Sequence, residues 1–462
     1  MMRSLVLAGV IGLVACGGSS NNGNNNGPDA GSNSGSNMGS NGSNTMLGSA
    51  SGTPGNGMVP YAVPLVAPFG PAVFYTSTLT VGSQMFAMDL DTGSTTTAIA
   101  GMGCTDCSGS DYTISPAYMP GAGATDQGVK ADSEFGDGTG WYGEVYMDKI
   151  DSGHGSPTAT LKIVDISTQV DPNDPMAMSG FFEDNSYQGI LGLGATANEV
   201  DNTDSYYDTI VGTGMPNIMG FELCADSGTM WLGGFDATHA SGAMQYTPLD
   251  PISPFNPNTG TGNPFYSIDL TGVSFNGKAI AATSPADLQE WVVDTGTSAF
   301  FVPTEFYNGV TSALIKTTAY KTFFGTQDIT TSQTGCVTAS STVTDDQINA
   351  MLPTFVMTMK NAAGGADITV TAPALDSYLV DAGPDPQQTG KTDFCLTMGD
   401  GGQEATMGDA VMQGFVVAID VKNSQVGWAP DSGCASAMPR PHDVTARMHP
   451  PKPHHGPRRV IH

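Results

Sequence analysis

The segment Met85-Phe-Ala-Met-Asp-Leu-Asp91-Thr-Gly-Ser94 has a counterpart 203 residues further on, Trp291-Val-Val-Asp294-Thr-Gly-Thr297. Each is a β-prone run that leads into Asp-Thr-Gly followed by a hydroxyl residue. One such tripeptide carries little weight. With 44 acidic residues and 60 glycines in the chain, a single chance copy is roughly an even bet. Two copies, each ending a strand and each extended by Ser or Thr, are much harder to obtain by accident. Asp, Thr and Gly are also turn residues, but two unrelated hairpins would not repeat their surroundings. The chain is therefore expected to fold as two like halves, each presenting an acid at the end of a strand.

Two carboxylic acids held together have a chemistry that one lacks. Like charges at contact distance cannot both ionise, so the pair shares one proton over a wide pH range. The ionised partner can take a proton from water, and the protonated one can donate to a carbonyl oxygen or a departing nitrogen. Amide hydrolysis needs both. Asp91 and Asp294 are the candidate catalytic residues. Gly93 and Gly296 let the backbone turn tightly and bring an N–H to each carboxylate. The hydroxyls of Ser94 and Thr297 can hydrogen-bond the outer carboxylate oxygens and hold them in place. Glycoside hydrolysis also uses two carboxylates, but no sugar platform is evident, and duplicated loops fit a symmetric pair better.

Gly, Ser, Thr and Asn are abundant and long helical patterns are few, which points to a β-rich body with many turns. Between residues 59 and 433 there are 42 acidic against 9 basic residues. Such a surface should repel nucleic acid and anionic membranes. The same imbalance serves either solubility or tolerance of acid, because carboxylates lose their charge at low pH and few basic groups limit positive self-repulsion.

The ends differ from the body. Residues 1–16 read as an export signal, with Arg3 as the positive start and Leu5 to Val14 as an apolar stretch too short to span a bilayer. Leu13-Val14-Ala15-Cys16 is similar to the bacterial lipobox, which would make Cys16 the lipid-carrying residue; a plain secretory signal is the alternative. Residues 17–58 are almost entirely Gly, Asn and Ser and cannot bury enough apolar surface to fold. As a flexible tether of about 40 residues they would reach about 35 Å. The tail, 435–462, holds five of the seven histidines and reads as a solvated basic segment, with metal binding as the alternative. No transmembrane helix is apparent.

Cys104, Cys107, Cys224, Cys336, Cys395 and Cys434 remain once Cys16 is set aside, and an even number in an exported chain suggests three disulfides. Cys104-Thr-Asp-Cys107 lacks the βαβ context of a redox motif and the second close pair of a zinc site, so a small structural loop is favoured.

From residue 73 to 429 the chain resembles the pepsin family of aspartic proteases. Phe74-Tyr-Thr-Ser-Thr-Leu-Thr-Val-Gly is similar to that family's opening strand and turn, and Phe135-Gly-Asp-Gly-Thr-Gly-Trp-Tyr-Gly to its flap hairpin. Gly189-Ile-Leu-Gly-Leu-Gly194 is similar to the segment under the active loop, and Met230-Trp-Leu-Gly-Gly-Phe-Asp236 to the end of the first lobe. Phe265-Tyr-Ser-Ile-Asp-Leu-Thr-Gly-Val resembles the opening strand of the second lobe. Met407-Gly-Asp409 and the run Gly414 to Ala429 resemble the closing motif. Pro303 to Lys316 reads as a short helix, with Phe306, Val310 and Ala313 on one face.

The resemblance implies an all-β, bilobal double barrel with a few short helices and a cleft between lobes 59–240 and 241–434. It implies catalytic roles for Asp91 and Asp294, cross-bonding of Thr92 and Thr295 beneath them, and orientation of the carboxylates by Ser94 and Thr297. It places Phe135, Gly136, Asp137 and Gly138 in a substrate-covering flap. It pairs Cys104 with Cys107 and Cys336 with Cys395; Cys224 with Cys434 resembles the extra bridge of beta-secretase. The implied activity is endopeptidase hydrolysis of a protein or peptide, at acidic pH, by a monomer with no cofactor or metal, no nucleic-acid partner, and membrane contact only through Cys16. A non-catalytic binding or inhibitor protein on the same fold is the alternative.

Three departures stand out. Phe135 occupies the flap position usually held by Tyr, so a hydroxyl is missing. Ala98 stands where a Trp often follows the first motif, which predicts a wider pocket on that side, with Trp141 or Tyr142 as candidates to compensate. No basic pro-segment precedes the body, so activation by its release is not expected.

Overall fold

The computed structural model describes residues 60–67, 74–108, 113–136, 139–169, 181–182, 187–198, 200, 202–225, 227–256, 261–332, 335–340, 342–385, 388–432 and 434. Cys16, expected to carry lipid, residues 17–58, expected to form a tether, the 435–462 segment, and Asp137 and Gly138, expected in the flap, lie outside them. Among the described residues the chain is mostly strand, with five short α-helices, none long and apolar enough to cross a membrane.

The duplication read from the motifs extends to the strand pairing. Gln84–Asp91 runs parallel to Gly189–Gly192, which pairs antiparallel with Thr97–Ala100. In the second half, Trp291–Val293 runs parallel to Ala405–Met407, which pairs antiparallel with Phe300–Val302. Outside each trio, Thr97–Ala100 lies parallel to Ala159–Thr168, and Phe300–Val302 parallel to Met398–Asp400. Five of these strands, Thr97–Ala100, Gly189–Gly192, Trp291–Val293, Phe300–Val302 and Ala405–Met407, are short and buried throughout, the pattern expected where a strand has protein on both faces.

In the first half, Thr76–Val81 pairs with both Gln84–Asp91 and Gly140–Asp151, closing a ring of six strands into a barrel. Closure leaves no bare edge there. A strand not read from the sequence, Tyr61–Val66, precedes the barrel and pairs with Ser227–Leu232. The opening strand of the second half is split into Ser267–Ile268 and Leu270–Phe275.

One sheet carries strands of both halves. Phe415–Asp420 pairs antiparallel with Met219–Leu223 on one side and with Gln425–Pro430 on the other. All six residues of Phe415–Asp420 are buried, so the apolar run after Gly414 is a central strand. At its end the Cys224–Cys434 disulfide joins positions 210 residues apart. Cys336 and Cys395 face each other across an antiparallel pair and are bonded, and Cys104 is bonded to Cys107.

The expected helix is Thr304–Leu314, capped by Pro303, whose φ of −51° suits a helix start. Its buried face is Phe306, Val310 and Leu314, spaced four apart. Ala313, which the sequence reading put on that face, is partly buried and packs against the same core, at the margin of a stripe that Leu314 extends.

Breaking the Cys224–Cys434 bridge by Cys224→Ala with Cys434→Ala removes the tie between the first half and the end of the last strand. Thermal or denaturant unfolding is expected to show a loss of about 2–5 kcal/mol; an unchanged midpoint would show that strand pairing alone holds that edge.

Candidate active site

Each Asp-Thr-Gly loop begins where a strand ends. Asp91 is the last residue of Gln84–Asp91, and Asp294 follows Trp291–Val293. The Leu193 N–H donates to the Asp91 carbonyl at 2.7 Å, and the Asp294 N–H donates to the Met407 carbonyl at 3.1 Å. Each loop is thereby tied to the strand beside it.

The threonines between the acids lock the loops to one another. The Thr92 hydroxyl donates to the Val293 carbonyl at 2.8 Å and accepts the Thr295 N–H at 3.0 Å. The Thr295 hydroxyl donates to the Leu90 carbonyl at 2.8 Å and accepts the Thr92 N–H at 3.2 Å. Both threonines are fully buried, so the four bonds form where water cannot substitute for them.

The carboxyls are held alike. Oδ1 of Asp91 accepts the Gly93 N–H at 2.7 Å and Oδ2 accepts the Ser94 hydroxyl at 2.5 Å. Oδ1 of Asp294 accepts the Gly296 N–H at 2.9 Å and Oδ2 accepts the Thr297 hydroxyl at 2.6 Å. Both glycines are required by the opposite loop. A β-carbon on Gly93 would lie 2.8 Å from Asp294 Oδ1, and one on Gly296 would lie 2.5 Å from Asp91 Oδ1. Each acid therefore sits against the backbone of the other half's glycine, and the two carboxyls come within hydrogen-bonding reach of each other. Burial first, and then the Asp294 carboxyl, push Asp91 well above the usual carboxylate range, against the opposing pull of the Ser94 and Gly93 donors. The arrangement can retain one proton in the pair where two isolated acids would have lost both.

The flap hairpin is formed by Thr125–Glu134 and Gly140–Asp151, and the Phe135 N–H donates to the Thr139 carbonyl at 2.7 Å. The Phe135 ring stacks on Phe181, centroids 5.3 Å apart and planes 17° from parallel, and Phe181 in turn meets Phe182 and Tyr187 edge-on. Aromatic stacking thus stands where a hydroxyl would otherwise act. Ala98 is fully buried, in the apolar cluster that also contains Trp141, Phe182, Tyr187 and Ile190. Trp141 joins that cluster, whereas the Tyr142 ring lies under the Lys130 ammonium, 5.1 Å from its centroid.

Sequence reasoning assigned no role to two further acids near the pair, Asp89 and Asp409, both buried. Asp89 was visible as a charge interrupting an apolar strand, and Asp409 as a charge next to the Gly408 turn. Neither signal distinguishes a surface acid from a buried one.

Thr92→Val or Thr295→Val deletes a hydroxyl and leaves one carbonyl and one N–H buried without partners. At about 1–3 kcal/mol per orphaned group, each variant is expected to lose about 2–5 kcal/mol of stability, with Thr→Ser at either position retaining most of it. Equal denaturation midpoints for Val and Ser variants would show that the cross-bonds contribute little.

Comparison with known proteins agrees with this geometry. Residues 74–431 match the family described as eukaryotic aspartyl protease. An aspartic protease of Phaffia rhodozyma is 26% identical over 365 residues, covering 78% of this chain and 77% of that one. Aspergillopepsin-1 of Aspergillus oryzae is 24% identical over 362 residues, covering 77% and 78%. A beta-secretase of Strongylocentrotus purpuratus is 24% identical over 370 residues, covering 74% and 63%. With duplicated strand trios, cross-bonded threonines and a family match over most of its length, the chain belongs to the eukaryotic aspartyl protease family and is an aspartic-type peptidase.

Proposed function

We propose that the protein is an endopeptidase working at acidic pH, in which Asp91 and Asp294 together activate water against a peptide carbonyl. The observation that supports this most directly is the reciprocal seating of each acid on the other half's glycine, with Ser94 and Thr297 fixing the outer oxygens. The ionised member of the pair takes a proton from water as the oxygen attacks the carbonyl carbon, and the protonated member gives its proton to the carbonyl oxygen. Collapse of the resulting diol breaks the C–N bond, with a proton passing to the departing nitrogen. The pair titrates as a unit, so neither acid owns the proton. Substrate is a protein or peptide lying extended between lobes 59–240 and 241–434, under the flap at Phe135 and Gly136 with Asp137 and Gly138 at its tip. No cofactor or metal enters this scheme, and the working unit is a monomer. On the sequence alone, Cys16 is proposed as a bacterial lipid attachment site that tethers the body to the cell envelope. The three disulfides fit an oxidising compartment.

Acid operation is supported by buried and half-buried acids across the body. Burial above all raises Glu222 and Asp165 to about 7, and Asp250 and Asp376 to about 6. In the unfolded chain such groups titrate near pH 4. Between about pH 4 and 7 the folded chain therefore binds more protons than the unfolded one, and stability present below about pH 4 is lost as pH rises through the folded values. Asp287 and Asp367 are held below the usual range and act only at the acid end. The thermal midpoint is expected to fall from about pH 4 to about pH 7; a midpoint that rises over that interval contradicts the assignment.

Cleavage of denatured globin, followed across pH with and without a statine-type inhibitor, tests the activity. Asp91→Asn and Asp294→Asn are each expected to lose at least about a hundredfold in kcat. A parent chain that cuts nothing at any pH, while binding another protein tightly, would favour a non-catalytic role.

A further inference from the structure

Two acids beside the pair have no part in the hydrolysis described above. Asp89 stands two residues before Asp91 on an extended strand, so both side chains leave the same face. Asp409 follows Gly408, and its N–H donates to the Thr297 carbonyl at 2.8 Å, on the loop whose hydroxyl holds Asp294. Asp89 is 3% exposed and Asp409 0%. Neither oxygen of Asp409 meets a hydrogen-bond partner among the described residues, and neither does Oδ1 of Asp89.

The duplication does not require these acids. Aligning Asp89-Leu-Asp91 with Val292-Val-Asp294 puts Val292 opposite Asp89, and aligning Leu193-Gly-Ala195 with Met407-Gly-Asp409 puts Ala195 opposite Asp409. Each half thus carries one extra acid at a position where its counterpart is apolar.

A buried carboxylate lacking donors and a neighbouring cation keeps its proton. Burial is the largest influence on both. Asp91 and Asp294 then push Asp89 up, and Asp89, Asp294 and Asp91 push Asp409 up. Only the Leu90 N–H pulls Asp89 the other way, and every ionisable group acting on either is another acid.

We propose that Asp89 and Asp409 are positioning residues that remain protonated while the enzyme works, one from each half, so that the only negative charge at the cleft floor is the one shared by Asp91 and Asp294. This rests on the peptidase reading of that pair. A charge on either acid would make the pair hold its protons more tightly and drive it toward a doubly protonated form that has no base. The same protons link the floor to pH. Asp89 and Asp409 release them above about pH 4 when unfolded and keep them when folded, so each weakens the fold as pH rises.

Asp89→Asn and Asp409→Asn preserve the shape of the neutral acid and cannot ionise. In each, the fall in thermal midpoint between pH 4 and pH 7 is expected to shrink. The acid limb of the kcat/KM profile is expected to stay within about 0.3 pH units of the parent. A limb displaced by about one unit to lower pH would mean that a negative charge had been removed, and would overturn the proposal. So would an unchanged midpoint difference. Should the amides not fold, infrared spectroscopy of the Asp91→Asn/Asp294→Asn chain at about pH 8, above the titration of Glu222 and Asp165, decides instead. A carboxylic-acid carbonyl band that persists there supports the proposal, and one wholly lost within the pH range where the parent chain cuts peptide refutes it. The midpoint readout needs no hydrolysis, so a chain that cuts no peptide would sink the peptidase reading while leaving this one to stand or fall separately.

Discussion

The hydroxyls of Thr92 and Thr295 are the joint on which the site depends. Each serves as donor to a carbonyl of the other half and as acceptor of the other threonine's N–H. An alanine could not make these bonds, and a valine of the same shape would leave polar backbone groups without partners. Because both side chains are fully buried, relative movement of the loops would break several hydrogen bonds in a place closed to water. That rigidity allows two acids to be held in contact. Without it, their mutual repulsion would drive the loops apart as soon as both lost their protons.

Around this joint the fold places symmetric supports and asymmetric chemistry. The strand trios, the Asp-Thr-Gly turns and the serine or threonine beside each acid occur in both halves. The hairpin Thr125–Glu134 and Gly140–Asp151 belongs to the first half alone, and the Phe135 ring after its first strand stacks on Phe181. Asp89 and Asp409 are likewise single features. The floor is consequently rich in acids and poor in counter-charges, an arrangement that is stable only while most of those acids are neutral.

The sheet that crosses between halves explains how the two become one support. Phe415–Asp420 lies against Met219–Leu223 along four paired positions, Val416 to Ile419, and the Cys224–Cys434 bridge closes the edge of the same sheet. Tyr75 adds a polar link: its hydroxyl donates to the Cys224 carbonyl at 2.5 Å and accepts from the Gln413 amide at 2.9 Å. The halves are therefore fixed to one another both under the cleft and behind it.

The sequence by itself determined the duplicated acids, the glycine and hydroxyl that accompany each, the β-rich character and the resemblance from which the disulfide partners follow. These are legible because strand preference, tight turns and short-range hydrogen bonds depend on residues next to one another in the chain. Tertiary structure alone decided that Leu314 is buried along with Phe306 and Val310, that Ala98 is fully buried, and that Tyr61–Val66 joins the sheet. It also decided which aspartates lose water. Asp89 and Asp409 look like any other acid in a chain with 44 acidic residues, and only packing from distant strands removes the solvent that would let them ionise.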